Sequence, residues 1–251
     1  MLDVARIRAI SLDLDDTLWP IWPAIQAAEK ALAHWLGDHA PMTSALFANP
    51  AARHDVRQQV LREHPELAHD LASIRRLAIR RSLELAGEPP ELAVPAFDVF
   101  YAARNQVTLY DDALPAPQWL ASRYPLVALT NGNADLNRIG LTPFFKACIT
   151  ATGLGVGKPD VRAYTAAAMA AGVPIDQVLH VGDDVQLDVL GAMAAGMQAV
   201  WVNRTDQLWA NDAQLPHEEI DTLTELCNLL GGRTVDASTG SLTGSSTGSC
   251  A

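Results

Sequence analysis

The sequence is poor in two features that would place it in well-defined protein classes. Its three cysteines, Cys148, Cys227 and Cys250, are odd in number and far apart, which supports neither a disulfide framework nor a zinc site. Its 18 lysines and arginines are outnumbered by 29 aspartates and glutamates, giving a formal net charge of -11. We therefore expect no nucleic acid and no anionic membrane surface among its partners.

Long apolar runs are also missing. The longest uncharged apolar stretch, residues 189–203, is short and interrupted by glycine, whereas a membrane-spanning helix needs about 20 apolar residues. The first residues lack the continuous apolar segment of a secretory signal. These absences predict an unexported, cytoplasmic protein, which we expect to be a monomer or a weak homodimer.

What the sequence does contain is a series of short apolar runs that predict a parallel sheet. With 251 residues and 49% hydrophobic content, the chain can bury a large core. The runs end in small or acidic residues and are separated by helical patterns, as in buried strands of an α/β protein. They lie at residues 9–12, 126–129, 148–151, 178–181 and 199–202. The predicted fold is a Rossmann-like, doubly wound parallel sheet.

About ninety residues between the first two predicted strands interrupt this alternation. Their apolar residues, such as Leu71, Ile74 and Leu77, recur near helical spacing, and Gly87 gives a stop signal. We therefore expect an α/β core at 1–18 and 114–231, an inserted helical cap at 19–113 and a disordered Gly/Ser/Thr-rich tail at 232–251. Because ligands bind beyond the carboxyl ends of such strands, the insertion is placed to cover a site.

Three carboxylates follow the first predicted strand within four residues, in the segment SLDLDDTL. They belong to Asp13, Asp15 and Asp16. Two like charges about 4 Å apart cost roughly 4 kcal/mol at an effective dielectric near 20. Such a cluster therefore needs a compensating cation or a shifted protonation state.

A second acidic group, Asp183, Asp184 and Asp188, follows the fourth predicted strand in VGDDVQLD. Acids near a helix start can serve simply as caps, but capping does not explain two acidic groups at two strand ends. If strands one and four are neighbours, Asp13 and Asp183 lie across one crevice. Carboxylate oxygens of this kind suit Mg²⁺.

Two further strand ends offer groups that could hold a phosphate. Thr130, in ALTNGN, has a hydroxyl, and the backbone N–H groups of Asn131 and Gly132 follow it. Lys158, in GVGKPD, provides a cation after the third predicted strand. Together with a metal ion, these groups predict a site for an anionic, phosphorylated small molecule.

The four motifs resemble, in order, those of the haloacid dehalogenase superfamily. They are DLDDT from Asp13, the Thr130 strand end, Lys158 in GKPD, and VGDD followed by Asp188. The helical insertion is similar to the C1 cap of that superfamily.

The resemblance implies a phosphatase with an aspartyl-phosphate intermediate. Asp13 would be the nucleophile, Asp15 the general acid and base, and Thr130 and Lys158 would contact the phosphate. The implied Mg²⁺ ligands are Asp13, the Asp15 backbone carbonyl and Asp183, with Asp188 as a supporting acid of the metal site. Whether Asp184 or Asp188 contacts the metal directly stays open.

A finer resemblance is to the bacterial branch that dephosphorylates flavin mononucleotide and 5-amino-6-(5-phospho-D-ribitylamino)uracil. It depends on VALTNGN, on HVGDDVQLDV followed by GMQAVW, and on EHPELAHD in the insertion. Phosphatases of other metabolites, such as a nucleotide, phosphoglycolate or a sugar phosphate, share the same catalytic residues. A non-catalytic binding protein remains a further alternative. Hydrolytic dehalogenases have a similar pattern that lacks the second aspartate of the first motif. The presence of Asp15 therefore favours phosphate chemistry over dehalogenation.

Three side chains of the insertion are candidates for contact with the substrate. Trp19 and Trp22 are expected to stack on a planar substrate, although aromatic residues at such a junction also serve as packing. His69 is expected to face the site. Four arginines near residue 78 could reach an anion, although charge runs on helices are more often solvated. His180 lies inside a predicted strand, which favours a buried structural role.

Overall fold

The computed structural model describes residues 1–209 and 214–231. The tail that the sequence predicts to be disordered, residues 232–251, lies outside the described residues.

The predicted parallel sheet is confirmed. Six strands run in the order β3-β2-β1-β4-β5-β6, and every neighbouring pair is parallel. This is the doubly wound order of Rossmann-like folds. The strands are β1 (Ala9–Leu12), β2 (Leu126–Thr130), β3 (Ala147–Thr150), β4 (Val178–Gly182), β5 (Gln198–Val202) and β6 (Glu218–Ile220). The five predicted strands agree with β1 to β5 within one residue at each end.

Strand β6 is the one that the sequence analysis missed. It has three residues, two of them glutamates, and pairs with β5 at the edge of the sheet. Edge strands need not be apolar on both faces, so no continuous apolar run marks it. The other edge strand, β3, is also partly exposed.

The strand order reverses between β1 and β4, which are hydrogen-bonded neighbours with Leu12 opposite Val181. This confirms the adjacency on which the predicted crevice depends. In an open α/β sheet, ligands bind outside the carboxyl ends of the strands at this reversal. The residues that directly follow Leu12 and Gly182 therefore border the ligand crevice.

Eleven helices are found among the described residues, with a few short 3-10 turns and one π-helical segment, Val185–Leu190. The first five lie between β1 and β2: α1 (Ile21–His39), α2 (Pro41–Phe47), α3 (Pro50–Glu63), α4 (Leu71–Ala86) and α5 (Ala93–Arg104). The others are α6 (Pro115–Ala121), α7 (Leu136–Ile139), α8 (Ala151–Leu154), α9 (Val161–Ala171), α10 (Gly191–Ala194) and α11 (Leu223–Gly231). In the part of the chain that the structure describes, no helix could cross a membrane.

The buried apolar residues form three clusters. Side chains of β1 alternate between two of them: Ile10 and Leu12 belong to the cluster on one face of the sheet, and Ala9 to the cluster on the other. The third cluster joins α1, α2, α4 and α5 through residues such as Leu32, Leu83 and Phe97. The five-helix segment therefore has an apolar core of its own.

Helix α4 ends at the stop signal that the sequence predicts, and a side chain caps its start. The Asp70 side chain accepts a hydrogen bond from the Ser73 N–H at 3.0 Å, which caps the first turn. Gly87 ends the helix with φ 70°, a left-handed conformation that glycine adopts without steric cost.

The chain passes from the sheet to the five-helix segment (α1 to α5) near Thr17 and returns near Asp112. A buried ion pair between Arg204 and Asp112 joins these two crossings. Arg204 donates to the Thr17 carbonyl at 2.9 Å and to the Asp112 carboxylate at 2.9 Å. Asp112 also accepts the Leu223 N–H at 2.7 Å, and the Arg204 guanidinium stacks on Tyr110 at 4.1 Å from the ring centre. Both crossings are thereby fixed to the loop after β5 and to the start of α11.

We expect Arg204→Met to lower the free energy of unfolding by about 3 kcal/mol, because the buried Asp112 carboxylate loses its cation. Urea denaturation followed by circular dichroism measures this change. Arg162→Met, which breaks an exposed pair with Asp160, is the matched control and should change it by less than about 1 kcal/mol. Equal effects of the two substitutions would refute the structural role of Arg204.

Candidate active site

Three carboxylates and one lysine meet at the carboxyl ends of β1 and β4. Oxygens of Asp13, Asp183 and Asp188 lie within 4.8 Å of one another. Lys158 Nζ donates to Asp13 Oδ1 and to Asp188 Oδ1, each at 2.5 Å. The structure therefore brings together residues that are up to 175 positions apart in the chain, since the cluster extends from Asp13 to Asp188.

Backbone contacts explain how these carboxylates converge. The Asp13 N–H continues the ladder between β1 and β4 by donating to the Val181 carbonyl at 2.9 Å. The Trp201 indole N–H, from β5, donates to the Asp183 carbonyl at 2.7 Å. Gly182 lies so close to Asp188 that a Cβ atom there would be 2.3 Å from Asp188 Cγ. The glycine at the end of β4 is thus required for the Asp188 carboxylate to reach the crevice.

Burial of several carboxylates around one cation shifts their pKa values. Burial raises the pKa of Asp13 well above its usual value, although Lys158 opposes the shift. Burial, together with the Asp188 charge, raises the pKa of Asp183 to about 7. Burial alone would lower the pKa of Lys158, but the Asp13 and Asp188 carboxylates raise it. Lys158 is therefore charged, and it cannot neutralise three carboxylates.

The Asp188 carboxylate is held on several sides. His180 Nε2 lies 3.0 Å from Asp188 Oδ1, while His180 Nδ1 lies 3.0 Å from Ser11 Oγ. The Asp184 N–H donates to Asp188 Oδ2 at 3.0 Å. Burial would raise the pKa of Asp188, but Lys158 and His180 hold it well below its usual value. Asp188 therefore stays ionised and orients Lys158, and the buried His180 supports it.

Asp184 has a different part in the structure. Its side chain accepts the N–H groups of Gln186 and Leu187, both at 2.8 Å, and so caps the π-helical segment after β4. Asp184 is thus a helix-capping residue, which was the alternative considered for the second acidic group. Its oxygens are not part of the cluster formed by Asp13, Asp183 and Asp188.

The donor set fits a hard divalent cation. All its members are carboxylate oxygens in a largely buried crevice, and Lys158 leaves an excess of two negative charges if all three acids ionise. Mg²⁺ prefers oxygen ligands and binds through one or two protein carboxylates together with water and substrate oxygens. Asp13 and Asp183 are the better ligands, because Asp188 already accepts three hydrogen bonds.

The turn after Asp13 directs the other two acids away from β1. Asp16 adopts φ 58°, and its N–H donates to the Trp19 carbonyl at 2.8 Å. The Asp16 carboxylate accepts the Ile21 N–H at 2.8 Å and so holds the start of α1. Asp16 is a turn and capping residue, and this turn brings the Asp15 carboxylate to the five-helix segment.

Asp15 contacts an arginine that the sequence analysis did not single out. Arg104 Nη2 donates to both Asp15 oxygens at 2.7 Å, and Arg104 Nε donates to Asn133 Oδ1 at 3.0 Å. Arg104 is the last residue of α5 and is only 1% exposed. Its position at the end of an apolar helix was the sole sequence signal, since no motif contains it.

The expected stacking of Trp19 on a substrate is wrong for this structure. Trp19 is 0% exposed and belongs to the cluster on one face of the sheet. Its indole N–H donates to Asp15 Oδ1 at 2.9 Å. Because both ring faces are covered by protein, Trp19 packs and orients Asp15, which was the alternative considered for it. Trp22, in contrast, is 70% exposed.

The segment after β2 lies against both Asp15 and the Lys158 loop. Thr130 Oγ1 accepts the Gly132 N–H at 2.9 Å. The Asn131 side chain accepts the Lys158 N–H and donates to the Lys158 carbonyl, each at 2.8 Å. A Cβ atom at Gly132 would be 2.3 Å from Asp15 Oδ2. The Asn131 amide thus fixes the lysine loop, and Gly132 allows Asp15 to approach.

Two cavities lie next to this site and both touch Leu71. The smaller, of about 320 Å³, is lined by His69, Asn131 and Lys158. The larger, of about 530 Å³, lies among the five helices and is lined by Trp22, Phe100 and several arginines, with Asn133 at the sheet side. Leu71 therefore borders both the cavity at Lys158 and the cavity among the five helices.

We expect Mg²⁺ to raise the melting temperature of chelator-treated protein by roughly 5 °C or more at saturating concentration, because binding relieves the carboxylate repulsion. Differential scanning fluorimetry measures the shift. Asp183→Asn should abolish it, while Asp184→Asn, which keeps the cap, should preserve it. A full shift in Asp183→Asn would show that the ion binds elsewhere.

Comparison with known proteins agrees with this geometry. A family described as haloacid dehalogenase-like hydrolase matches residues 7–196. The 5-amino-6-(5-phospho-D-ribitylamino)uracil phosphatase YigB of Escherichia coli K12 is 34% identical over 235 residues, covering 90% of this chain and 98% of that protein. A phosphoserine phosphatase of Thermus thermophilus is 31% identical over 230 residues, covering 79% and 89% respectively.

Among solved structures, one described as a 2-haloacid dehalogenase from Pseudomonas syringae pv. Tomato DC3000 superposes with a TM-score of 0.84. It is 37% identical and the match covers 90% of this chain and 98% of that one. The resemblance read from the four motifs is thereby confirmed. The chain belongs to the haloacid dehalogenase-like hydrolases.

Proposed function

We propose that the protein is a Mg²⁺-dependent phosphatase that hydrolyses a small phosphate monoester through an aspartyl-phosphate. The observation that carries the proposal is the 2.5 Å contact between Lys158 Nζ and Asp13 Oδ1 in a buried crevice. It sets a carboxylate nucleophile beside a cation that can hold the phosphate under attack. Asp15 lies two residues further on and supplies a second carboxyl group.

In the first step, an Asp13 oxygen attacks phosphorus and the bond from phosphorus to the leaving oxygen breaks. Asp15 gives its proton to that oxygen, so the alcohol leaves neutral. In the second step, water attacks the phosphorus of the aspartyl-phosphate while Asp15 takes a proton from it. The bond to Asp13 breaks, and the free carboxylate and inorganic phosphate are released. A carboxylate nucleophile thus divides one difficult transfer into two steps.

Cations and donors around the phosphate supply most of the remaining catalysis. The transition state of phosphoryl transfer is loose, so positioning and charge on its equatorial oxygens matter most. Lys158 and the Thr130 hydroxyl would bind those oxygens. Mg²⁺, held by Asp13, the Asp15 backbone carbonyl and Asp183 beside Asp188, would supply positive charge to the same oxygens.

For the substrate we propose flavin mononucleotide or 5-amino-6-(5-phospho-D-ribitylamino)uracil. The similarity to the E. coli phosphatase over 90% of this chain supports this choice. So does the larger cavity, whose volume is in the range of small-ligand sites. Its exposed Trp22 offers an aromatic face to a planar heterocycle. His69 lines the cavity nearer Lys158 and would lie beside the phosphate end.

The surroundings of the larger cavity are cationic as well as aromatic. Arg75 lies 3.8 Å from the centre of the Phe100 ring and pairs with Glu29 at 2.5 Å, and Arg53 pairs with the same Glu29 at 3.3 Å. Arg57 also lines the cavity. Three arginines with one glutamate favour an electron-rich or anionic leaving group.

We also propose that residues 19–113 act as a cap on a core formed by 1–18 and 114–231.

A second candidate is hydrolytic dehalogenation of a 2-haloacid, which the likeness to the Pseudomonas syringae structure favours. A halide needs no proton on leaving, so Asp15 would have no part in that reaction. The arrangement that fixes Asp15 between Trp19 and Arg104 therefore favours the phosphatase.

We expect Asp13→Asn to lower phosphate release by about 10³-fold or more, because the amide keeps the shape of the side chain and loses its nucleophilicity. Steady-state assays with flavin mononucleotide measure the loss, and circular dichroism checks the fold. Asp16→Asn is the matched control: asparagine tolerates the left-handed backbone and caps helices equally well. Near-normal activity of Asp13→Asn would contradict the assignment.

A substrate panel at equal enzyme concentration should give the highest kcat/KM with flavin mononucleotide or the ribitylaminouracil phosphate. The panel includes phosphoserine, phosphoglycolate, a nucleoside monophosphate, a sugar phosphate and 2-chloropropionate, each with Mg²⁺ and with a chelator. We expect the chelator to abolish phosphate release. A higher kcat/KM on another ester would overturn the substrate assignment, and halide release without phosphate release would overturn the phosphatase.

A further inference from the structure

We propose that Arg104 is a positioning residue for Asp15, and that through it helix α5 sets the orientation of the general acid. This inference rests on the proposed function, because it takes Asp15 to be the acid and base of phosphate ester hydrolysis.

The contacts of Asp15 show what fixes its carboxylate. Arg104 Nη2 lies between its two oxygens, 2.7 Å from each, and the Trp19 indole N–H donates to Oδ1 at 2.9 Å. Trp19 follows Asp15 by four residues and belongs to the same turn, whereas Arg104 is 89 residues away. Arg104 is therefore a long-range hydrogen-bond donor that sets the direction of the carboxylate.

Two hydrogen bonds, one from Arg104 and one to the next residue, connect the end of α5 to the segment after β2. Arg104 Nε donates to Asn133 Oδ1 at 3.0 Å, in the loop after β2. The next residue, Asn105, accepts the Asp135 N–H at 2.8 Å through its side chain. Along its length α5 packs against α1, and Phe97 and Phe100 belong to the apolar cluster of the five helices. A displacement of α5 relative to the sheet would thus move the guanidinium away from Asp15.

Burial argues against a purely structural role for this arginine. A buried ion pair contributes little net stability compared with apolar packing. Arg104 is 1% exposed, and its Nη1 has no hydrogen-bond partner among the residues that the structure describes. A buried unsatisfied donor costs about 1 to 3 kcal/mol. Apolar side chains in place of both Arg104 and Asp15 would avoid that cost, so the buried guanidinium points to a role at the Asp15 carboxyl group.

The test uses the leaving-group dependence of kcat/KM, which reports the steps up to formation of the aspartyl-phosphate. The ribityl oxygen of flavin mononucleotide is a poor leaving group that needs a proton, whereas p-nitrophenolate leaves without one. If Arg104 acts by positioning Asp15, loss of Arg104 therefore lowers kcat/KM for the first substrate and leaves kcat/KM for the second almost unchanged. A loss of folded enzyme or of phosphate binding would affect both.

We expect Arg104→Met to lower kcat/KM for flavin mononucleotide by at least about tenfold, a loss typical of a displaced catalytic group. For p-nitrophenyl phosphate the change should be below about threefold. In an Asp15→Asn background, Arg104→Met should cause almost no further loss on flavin mononucleotide. Arg138→Met is the matched control, since Arg138 contacts α5 at 5.2 Å from the centre of the Tyr101 ring and pairs with Asp135. It should leave both substrates unaffected.

Equal losses on both substrates, a full further loss in the Asp15→Asn background, or a faster reaction of Arg104→Met with flavin mononucleotide would each overturn the inference. Wild-type enzyme that releases phosphate neither from these two esters nor from any other ester of the substrate panel would instead refute the proposed phosphatase. The two failures are therefore distinguishable.

Discussion

The contact of Lys158 with Asp13 and Asp188 is the interaction on which the rest of the site depends. Buried like charges repel strongly, and a single ammonium group at 2.5 Å from two carboxylates makes their convergence possible. The lysine leaves an excess of negative charge around Asp13 and Asp183, which is the condition for binding a divalent cation. The strand order explains the location, because β1 and β4 meet at the reversal of a doubly wound sheet.

Much of this arrangement could be predicted from the sequence, because continuous apolar runs and the residues directly after them are local features. They predicted β1 to β5 and the meeting of Asp13 with Asp183. Strand β6 could not be predicted, since three residues with two glutamates leave no pattern. Arg104 was missed for another reason: its partner Asp15 is distant in sequence, and helical periodicity does not show which polar residue is turned toward a site. The same limit led to the wrong prediction for Trp19, whose burial depends on the cluster around it.

The five-helix segment contributes in two ways to the account. It provides the larger cavity, lined by aromatic and cationic side chains, where a leaving group would be recognised. It also provides Arg104, which contacts a residue on the turn after β1. In the proposed function, recognition of the leaving group and orientation of the proton donor would therefore depend on the same helices.

The central claim is that Asp13 becomes phosphorylated, and mass spectrometry of enzyme quenched in acid during turnover tests it most directly. The account predicts one added phosphoryl group per chain, carried by the peptide that contains Asp13 and absent from samples without substrate. Turnover of substrate with no phosphorylated enzyme under rapid quenching, or a phosphoryl group on another residue, would contradict it.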